Sequence, residues 1–283
     1  MVADWVIFAL VAAFLLGIER LIHRHVMKKE GHVAYTWLFS LIAGIFYLPM
    51  LVTGIKIPSD PYAWALMLFA AFVWTVIGVV GFKSYRYTQV SLRDPIARTD
   101  VLFLLLFSAL ILQEPMSVTK LAGVLVIFSG LVILTFHKGK IFGKLLHEGV
   151  RLTLLTAILS GFVAVVDKVA VAYFLPALYG FLMYFVPAVY LTPMALKNKK
   201  EIKSLVSRKM FWVIVVSVIT VLSYYFQLSA YLITDVSNVF PVLQLSTVIA
   251  VFGGYFVHKE KDLGIRLAGA VLMIAGSALI VIF

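Results

Sequence analysis

The sequence predicts an all-α integral membrane protein whose ten transmembrane helices form two inverted five-helix repeats. Three observations carry this prediction: an apolar composition, a succession of membrane-length apolar runs, and an internal repeat. Of the 283 residues, 63% are hydrophobic and 13% are charged, and the mean hydropathy is +1.06. A soluble domain carries roughly 25% charged residues. Helices follow from this composition because a helix satisfies its own backbone hydrogen bonds within lipid.

Ten apolar runs account for nearly the whole chain, and each is close to the roughly 20 residues that span hydrocarbon as a helix. In order, they occupy residues 4–26, 33–54, 62–83, 92–112, 118–136, 151–173, 176–196, 210–232, 236–257 and 264–282. The first run carries Glu19 and has neither a basic segment before it nor a small-residue cleavage site, so it is expected to be a retained helix rather than a signal peptide. The segments between the runs are too short for a soluble catalytic or nucleic-acid-binding domain. The lipid bilayer is therefore an expected partner, and nucleic acid is not.

The basic residues predict how the helices are oriented. Of the 24 Lys and Arg residues, 20 lie in or beside the loops after predicted helices 1, 3, 5, 7 and 9. Of the other four, Lys56 and Lys120 lie on the opposite side, at the loops after helices 2 and 4, and Arg98 and Lys168 lie within helices. Since cytoplasmic loops are enriched in Lys and Arg, this side is predicted to be cytoplasmic. Both termini are then extracytoplasmic, and the expected location is the plasma or inner membrane. The most basic segment, 197–209, is expected to be a solvated inner loop.

An internal repeat divides the chain into two halves, 1–137 and 151–283, and the basic linker 138–150 between them is expected to form a short amphipathic helix at the membrane interface. A displacement of 146 residues aligns one half with the other without a gap from the third helix onward. The matching pairs are Tyr85 and Tyr231, Thr88 and Thr234, Ser91 and Ser237, Pro95 and Pro241, Glu114 and Glu260, Gly123 and Gly269, and Gly130 and Gly276. Because each half holds an odd number of helices, the second half must insert upside down relative to the first. Inverted repeats are typical of secondary transporters, whose substrate site lies near the midplane between the halves.

Slightly different displacements align the first two helices of each half. FLLGIER at 14–20 falls on FVAVVDK at 162–168, and LPM at 48–50 falls on TPM at 192–194. Glu19-Arg20 therefore corresponds to Asp167-Lys168, and inversion places the two pairs on opposite sides of the midplane. Glu19 and Asp167 are candidate coupling residues, because intramembrane carboxylates mark proton relays in transporters. A structural pair within or between helices is the alternative left open.

The last two helices of each half share a pattern of one Tyr, one Pro, one Glu and two Gly residues. It reads Tyr85…Pro95…Glu114…Gly123…Gly130 and again Tyr231…Pro241…Glu260…Gly269…Gly276. With the acid-base pair Asp167-Lys168, this pattern resembles the EamA-like family of the drug/metabolite transporter superfamily over essentially the whole chain. The resemblance implies ten helices, a central cavity lined by the first four helices of each half, peripheral fifth helices, and transport of small metabolites such as amino acids, nucleotide sugars and phosphorylated sugars. The chain departs from the family in its charge distribution, since the termini of members are usually cytoplasmic, and in RDPIAR at 93–98, where the family's fourth helix is typically small and apolar before its proline.

That charged segment forms the start of the fourth predicted helix and supplies the first candidate substrate-binding residues. At about 100° per residue, Asp94 and Arg98 share one helix face. Arg98 and Asp100 lie inside the membrane, where a charge at the helix centre costs roughly 2.5–3.5 kcal/mol, so they are expected to face the cavity. Arg98 is predicted to bind a carboxylate or phosphate group bidentately, with Asp94 and Asp100 beside it. For Arg93 and Asp94, anchoring at the interface is the alternative.

Other polar and aromatic side chains at membrane depth complete the predicted site. They are Trp74, Tyr225, Gln227, Asn238 and Gln244. Each alone is equally well explained by a hydrogen bond between neighbouring helices, but together they predict a polar, aromatic cavity. The paired glycines are instead predicted to allow close helix packing, and Glu114 and Glu260 to anchor the turn before the helix that follows each of them.

The sequence therefore predicts a secondary transporter for a small polar metabolite, an amino acid or a related carboxylate or phosphate compound, with proton or exchange coupling. An enzyme is not expected, because the chain has no H-E-x-x-H, no G-x-S-x-G, no P-loop and no cysteine nucleophile. No cofactor or metal is expected either. The alternatives left open are an exporter of hydrophobic cations, a channel, and a protein that handles a lipid substrate. A homodimer is also left open.

Overall fold

The computed structural model describes residues 2–27, 30–87, 96–97, 99–135, 148–258 and 263–282, and helices dominate these residues. The helices are α1 (Val2–Met27), α2 (His32–Tyr47), α3 (Pro61–Tyr87), α4 (Asp100–Phe107), α5 (Val118–Thr135), α6 (Glu148–Val171), α7 (Pro176–Lys197), α8 (Lys199–Ile233), α9 (Val236–Leu243), α10 (Ser246–His258) and α11 (Leu263–Ile282). A 3-10 helix (Leu48–Thr53) follows α2, and a π-helical turn (Ser108–Leu112) continues α4. The predicted all-helical architecture is confirmed for the described residues.

Within the described part of the chain, six helical segments are long and apolar enough to cross a membrane. They are Asp4–Met27, His32–Val52, Pro61–Ser84, Glu148–Val171, Pro176–Lys197 and Lys199–Ile233. Shorter apolar helical segments occupy Asp100–Leu112, Val118–Gly130, Val236–Ile249 and Val271–Ile280. All of these fall on the apolar runs of the sequence, and the count of ten complete spans stays a prediction.

The ninth predicted run, 236–257, is two helices rather than one. Helix α9 ends at Leu243 and α10 begins at Ser246. Tight i to i+3 hydrogen bonds cross the break: the Gln244 N–H donates to the Pro241 carbonyl at 3.1 Å, and the Leu245 N–H to the Val242 carbonyl at 3.0 Å. Pro241 lies inside α9, two residues before its end, and has no N–H to donate within the helix. The break falls between the two parts of one apolar run of the sequence.

The prediction that 197–209 is a solvated loop is wrong, because α8 begins at Lys199 and runs for 35 residues. The segment contains no Gly or Pro, and Glu201 in the first turn suits the positive end of the helix dipole. Leu205 is 1% exposed and packs with the end of α1 and the start of α2. Leu205 is thus the buried apolar side chain through which the basic segment packs on α1 and α2. The predicted interfacial helix at 138–150 lies outside the described residues except for Glu148–Val150, which begin α6.

Helix packing relates the two halves to each other. Helix α1 packs on α8, and the corresponding pair, α6 and α3, packs in the same way; α2 packs on α7 and α5 on α11. The first helix of each half thus lies against the third helix of the other half. The cavity described below lies among the helices of the first three pairs, and α5 and α11 do not line it within the described residues.

The fifth helices of the two halves, α5 and α11, meet through glycine. A Cβ atom on Gly123 would lie 2.7 Å from the carbonyl oxygen of Gly276, and one on Gly130 would lie 2.5 Å from that of Gly269. The two pairs run in opposite chain directions, so α5 and α11 are antiparallel. Only glycine allows backbones to approach this closely, and the structure confirms the predicted packing role of these residues.

Candidate functional site

A cavity of about 290 Å³ lies between the two halves of the chain. Helices α1 to α3 and the start of α4 line it from the first half, and α6 to α9 line it from the second. Its charged and amide-bearing lining includes Glu19, Arg20, His23, Asp100, Gln227 and Gln244, and its aromatic lining includes Phe39, Trp74, Phe82, Tyr184 and Tyr224. The space is therefore both polar and aromatic, as the sequence predicts.

The cavity lies toward the end of the bundle where α1 ends and α2 begins. It is lined by residues 16–23 near the end of α1, 36–40 near the start of α2, and 74–82 in the second half of α3. This is the end that carries the basic loops after the first and third helices. At the opposite end, two clusters of polar contacts join the helices.

The first of these clusters surrounds Asp167, which is 0% exposed. The Tyr179 hydroxyl donates to Oδ1 at 2.7 Å, the Tyr224 hydroxyl to Oδ2 at 2.9 Å, and the Trp74 indole N–H to Oδ2 at 3.1 Å. These donors come from α7, α8 and α3, so one carboxylate on α6 links four helices. Both oxygens are satisfied, which is what a buried charge requires. We call Asp167 and its three donors the Asp167 cage.

The second cluster holds the turn between α8 and α9. The Glu114 carboxylate accepts from the backbone N–H of Val236 at 3.0 Å and of Ser237 at 3.1 Å. The Lys168 ammonium donates to the carbonyls of Tyr231 and Thr234. These charges satisfy backbone groups that two adjoining helix ends leave open, and we call the cluster the α8–α9 clasp.

The clasp corrects one prediction about Glu114. This residue anchors a turn of the opposite half rather than the turn before the helix that follows it. The reason is that α9 presents an N-terminus with unsatisfied N–H groups, for which a carboxylate is a suitable partner. Glu260, its counterpart in the repeat, lies outside the described residues.

Glu19 occupies the position that corresponds to Asp167 but has different surroundings. Its Oε1 lies 2.9 Å from His23 Nε2, and His23 Nδ1 lies 2.5 Å from the Tyr35 hydroxyl. Its Oε2 is buried and has no hydrogen-bond partner among the residues that the structure describes. The carboxyl group beside the cavity is thus only half satisfied.

The repeat explains why the two acids differ. The displacement that aligns LPM at 48–50 with TPM at 192–194 also aligns Tyr35 with Tyr179. Each half therefore has a tyrosine on its second helix near the carboxylate on its first helix. The displacement of 146 residues pairs Trp74 with Thr220 and Tyr224 with Gly78. The indole and phenol donors that complete the Asp167 cage therefore have a threonine and a glycine as counterparts in the other copy. The Thr220 hydroxyl is itself buried without a partner in the described part of the chain.

Two further hydrogen bonds connect the halves at the break between α9 and α10. The Gln244 side-chain amide donates to Asp100 Oδ1 at 3.2 Å, and the Arg20 guanidinium donates to the Thr247 hydroxyl at 3.2 Å. Interrupted helices at membrane depth are typical of transporter binding sites, where the irregular backbone lines a cavity. Gln244, at the break, does line this one.

The structure brings five of the predicted site residues to the cavity wall. These are Glu19, Trp74, Asp100, Gln227 and Gln244. Asp167 lies behind the wall, bonded to Trp74 and Tyr224. Their roles in binding and coupling stay predictions, since position alone does not assign a ligand.

The other predicted site residues lie elsewhere. Tyr225 and Asn238 are not among the described residues that line the cavity: the Tyr225 ring packs 6.0 Å from that of Phe226, and the Asn238 amide donates to the Thr234 hydroxyl at 3.0 Å. Both face away because the neighbouring turns of α8 and α9 present Tyr224, Gln227 and Phe240 to the cavity instead. Asp94 and Arg98 lie outside the described residues, so the predicted anion site at Arg98 stays a prediction.

Sequence reasoning missed His23, Tyr35 and Tyr179 as parts of the site. The signal for the two tyrosines was present in the alignment of the second helices, which pairs them. His23 carried a weaker signal, its i, i+4 spacing from Glu19 on one helix face. Neither signal specifies a contact without the packing of α1 on α2.

Among the comparisons with known proteins, one gives a family assignment. The sequence profile of a family described as the EamA-like transporter family matches the chain twice, over residues 3–136 and 147–282. No curated protein matches. One protein of known crystal structure superimposes with a TM-score of 0.75 and 15% sequence identity, over 98% of this chain and 96% of that chain. At this identity the likeness concerns the fold alone.

Proposed function

Because the chain belongs to the EamA-like transporter family, we propose that it is a secondary transporter that moves a small polar metabolite by alternating access. The proposed solute is an amino acid or a related carboxylate or phosphate compound. The observation that carries the proposal is the cavity between the halves, which lies among apolar helices and combines ionic, amide and aromatic groups. Family membership favours transport over catalysis, and no chemical step is proposed.

The packing of the helices supports alternating access between two inverted repeats. The first helix of each half packs on the third helix of the other half. The fifth helices, α5 and α11, are antiparallel and meet through equivalent glycines, which is the geometry expected for two repeats of opposite orientation in the membrane. The Asp167 cage, whose Trp74 and Tyr224 also line the cavity, and the α8–α9 clasp join the helices on the side of the cavity away from the end of α1. In the proposed topology, with ten spans and both termini extracytoplasmic in the cell membrane, the cavity lies toward the cytoplasm.

Coupling is proposed to use at least one of the two first-helix carboxylates, Glu19 and Asp167. Ionisable groups at membrane depth are costly and mark proton relays in transporters. Uptake of a transported solute into proteoliposomes should then respond to a pH gradient. Equal uptake with and without the gradient would leave exchange as the mode of transport.

The first test is a search for the solute by thermal stability. Purified protein is heated with amino acids, sugar phosphates, nucleotide sugars, organic acids or hydrophobic cations, and a ligand at about 100 times its Kd should stabilise it by about 2.7 kcal/mol. A carboxylate or phosphate that stabilises the wild type should have no effect on Arg98→Leu. Undiminished binding by that variant would eliminate the anion site.

Transport itself is tested with the compound found. Proteoliposomes loaded with unlabelled compound should accumulate the labelled compound transiently, by counterflow, and initial uptake should saturate. Conductance without saturation or counterflow would instead identify a channel.

A specific observation favours one second candidate, an exporter of hydrophobic cations. The described lining holds two carboxylates, Glu19 and Asp100, against one guanidinium, Arg20, and aromatic rings lie beside them. Aromatic faces and carboxylates together bind organic cations. Stabilisation by hydrophobic cations alone in the same screen would select this candidate.

A further inference from the structure

Glu19 and Asp167 are equivalent in the repeat, yet the structure gives them unequal shells of hydrogen-bond donors. An ionised carboxylate only accepts hydrogen bonds, whereas a protonated one must also donate. Asp167 receives donors on both oxygens, from Trp74, Tyr179 and Tyr224. The Trp74 N–H can only donate, so a proton on Oδ2 would oppose it, and a proton on Oδ1 would require the Tyr179 hydroxyl to turn and accept instead of donate.

Glu19 presents the opposite situation. His23 occupies Oε1, and Oε2 is buried without any donor in the described structure. An ionised oxygen in this position has no hydrogen-bond donor among the described residues, which is costly for a buried carboxylate. A proton on Oε2 removes the charge and opposes no donor.

We infer that Glu19, and not Asp167, is the carboxylate that takes up and releases the coupling proton. The inference rests on the proposed transport function and assigns the residue for its coupling step. A proton from water adds to a lone pair of Oε2, giving a neutral carboxylic acid, and leaves from the same oxygen to water after the cavity has changed sides. Asp167 stays ionised and holds four helices together.

The groups around Glu19 are compatible with this assignment. The titratable and charged side chains near it are Arg20 and His23 on α1, Tyr35 and Tyr47 on α2, Asp100 on α4, Tyr184 on α7 and Tyr224 on α8. The described lining residues of α3, α6 and α9 are uncharged. His23 bonds both Glu19 and Tyr35, so it is a positioning residue that fixes Oε1 and leaves Oε2 as the free oxygen.

The assignment can be tested without knowing the solute. Infrared difference spectra of the purified protein, recorded as the pH is lowered, resolve the carbonyl band of a protonated carboxyl group. Wild type and Asp167→Asn should both show this band from a buried acid, Glu19→Gln should lack it, and Glu19→Asp should restore it at a shifted frequency. The Tm of each variant verifies that it is folded.

Two results would overturn the assignment: a band that persists in Glu19→Gln but disappears in Asp167→Asn, or no such band in the wild type over the pH range in which it is folded. The spectra depend on no transport assay, so this failure is distinct from failure of the proposed function. In proteoliposomes, a pH gradient should accelerate uptake by the wild type and by Asp167→Asn, each compared with its own uptake without the gradient, and should not accelerate uptake by Glu19→Gln. Absence of counterflow in the wild type for every compound that binds would refute the transport function and leave the spectroscopic result standing.

Discussion

At the scale of single residues, the Asp167 cage shows how this chain places a charge inside a bundle that is mostly apolar. Three side chains donate to one carboxylate, and each belongs to a different helix. Hydrogen bonds to a buried charge are stronger than neutral ones, so the cage should contribute to stability as well as to positioning Trp74 at the cavity wall. The contribution of one donor can be measured.

Replacing Tyr179 with Phe should destabilise the protein by about 1.5–3 kcal/mol, because it removes a donor to a buried charge and leaves the ring in place. Thermal unfolding in detergent gives the change in Tm. Tyr190→Phe is the matched control, since its hydroxyl lies 3.5 Å from the Leu68 carbonyl and its side chain is 40% exposed. Equal Tm values for the two variants would mean that the cage does not stabilise the fold.

At the scale of elements, the turn between α8 and α9 depends on side chains from elsewhere in the chain. Glu114 arrives from beyond the π-helical turn after α4, and Lys168 from α6. Neither end of the turn has a side-chain cap of its own, because the Asp235 side chain at the N-cap makes no capping hydrogen bond. Long-range charges therefore replace local capping at this turn.

Glu114→Gln should destabilise the protein by about 1–3 kcal/mol, because the amide nitrogen opposes one of the two backbone N–H donors. Glu148→Gln is the control: that side chain is 53% exposed and pairs with Lys83 on the surface, where an ion pair contributes about 0–1 kcal/mol. Both changes remove one carboxylate charge, so the comparison isolates burial. Comparable Tm values for both variants would contradict the role given to the clasp.

The contact between α5 and α11 leads to a prediction about volume. Gly130→Leu should destabilise by about 1–3 kcal/mol or more, because the new side chain meets the Gly269 carbonyl, which cannot move aside without shifting the helix. Ala122→Leu adds the same kind of bulk on an exposed face of α5 and should be tolerated. Unfolding curves of the two variants provide the measurement, and a stable Gly130→Leu protein would require a looser helix pair than the structure shows.

At the scale of the whole molecule, the sequence predicts the helical segments well and the site only in part. Apolar runs are visible in the sequence because lipid requires about 20 consecutive apolar residues. The start of α8 is not visible in this way, because the segment is basic and buries one side chain, Leu205, rather than a periodic apolar face. Trp74 and Gln244 were found because polar groups are rare at membrane depth. The sequence analysis predicts Tyr225 as a lining residue, whereas its neighbour Tyr224 lines the cavity. One step along a helix turns a side chain by about 100°, and the packing of the helices decides which of the two faces the cavity.

The orientation in the membrane is a further prediction at this scale. If the basic loops are cytoplasmic, a C-terminal fusion to a reporter that is active only outside the cytoplasm should be active. The same reporter placed in the basic loop after α3 should be silent. The reverse pattern would place the termini and the basic loops on the opposite sides.

The glycine pairs of α5 and α11 also bear on the ancestry of the chain. Gly123 aligns with Gly269 in the repeat but touches Gly276, and Gly130 aligns with Gly276 but touches Gly269. Each glycine therefore meets the counterpart of the other, as happens when identical surfaces face each other across a two-fold axis. Two separate copies of one shorter polypeptide would make this contact if they dimerised in antiparallel orientation in the bilayer. It is the geometry expected if such a dimer existed before gene fusion joined its two chains.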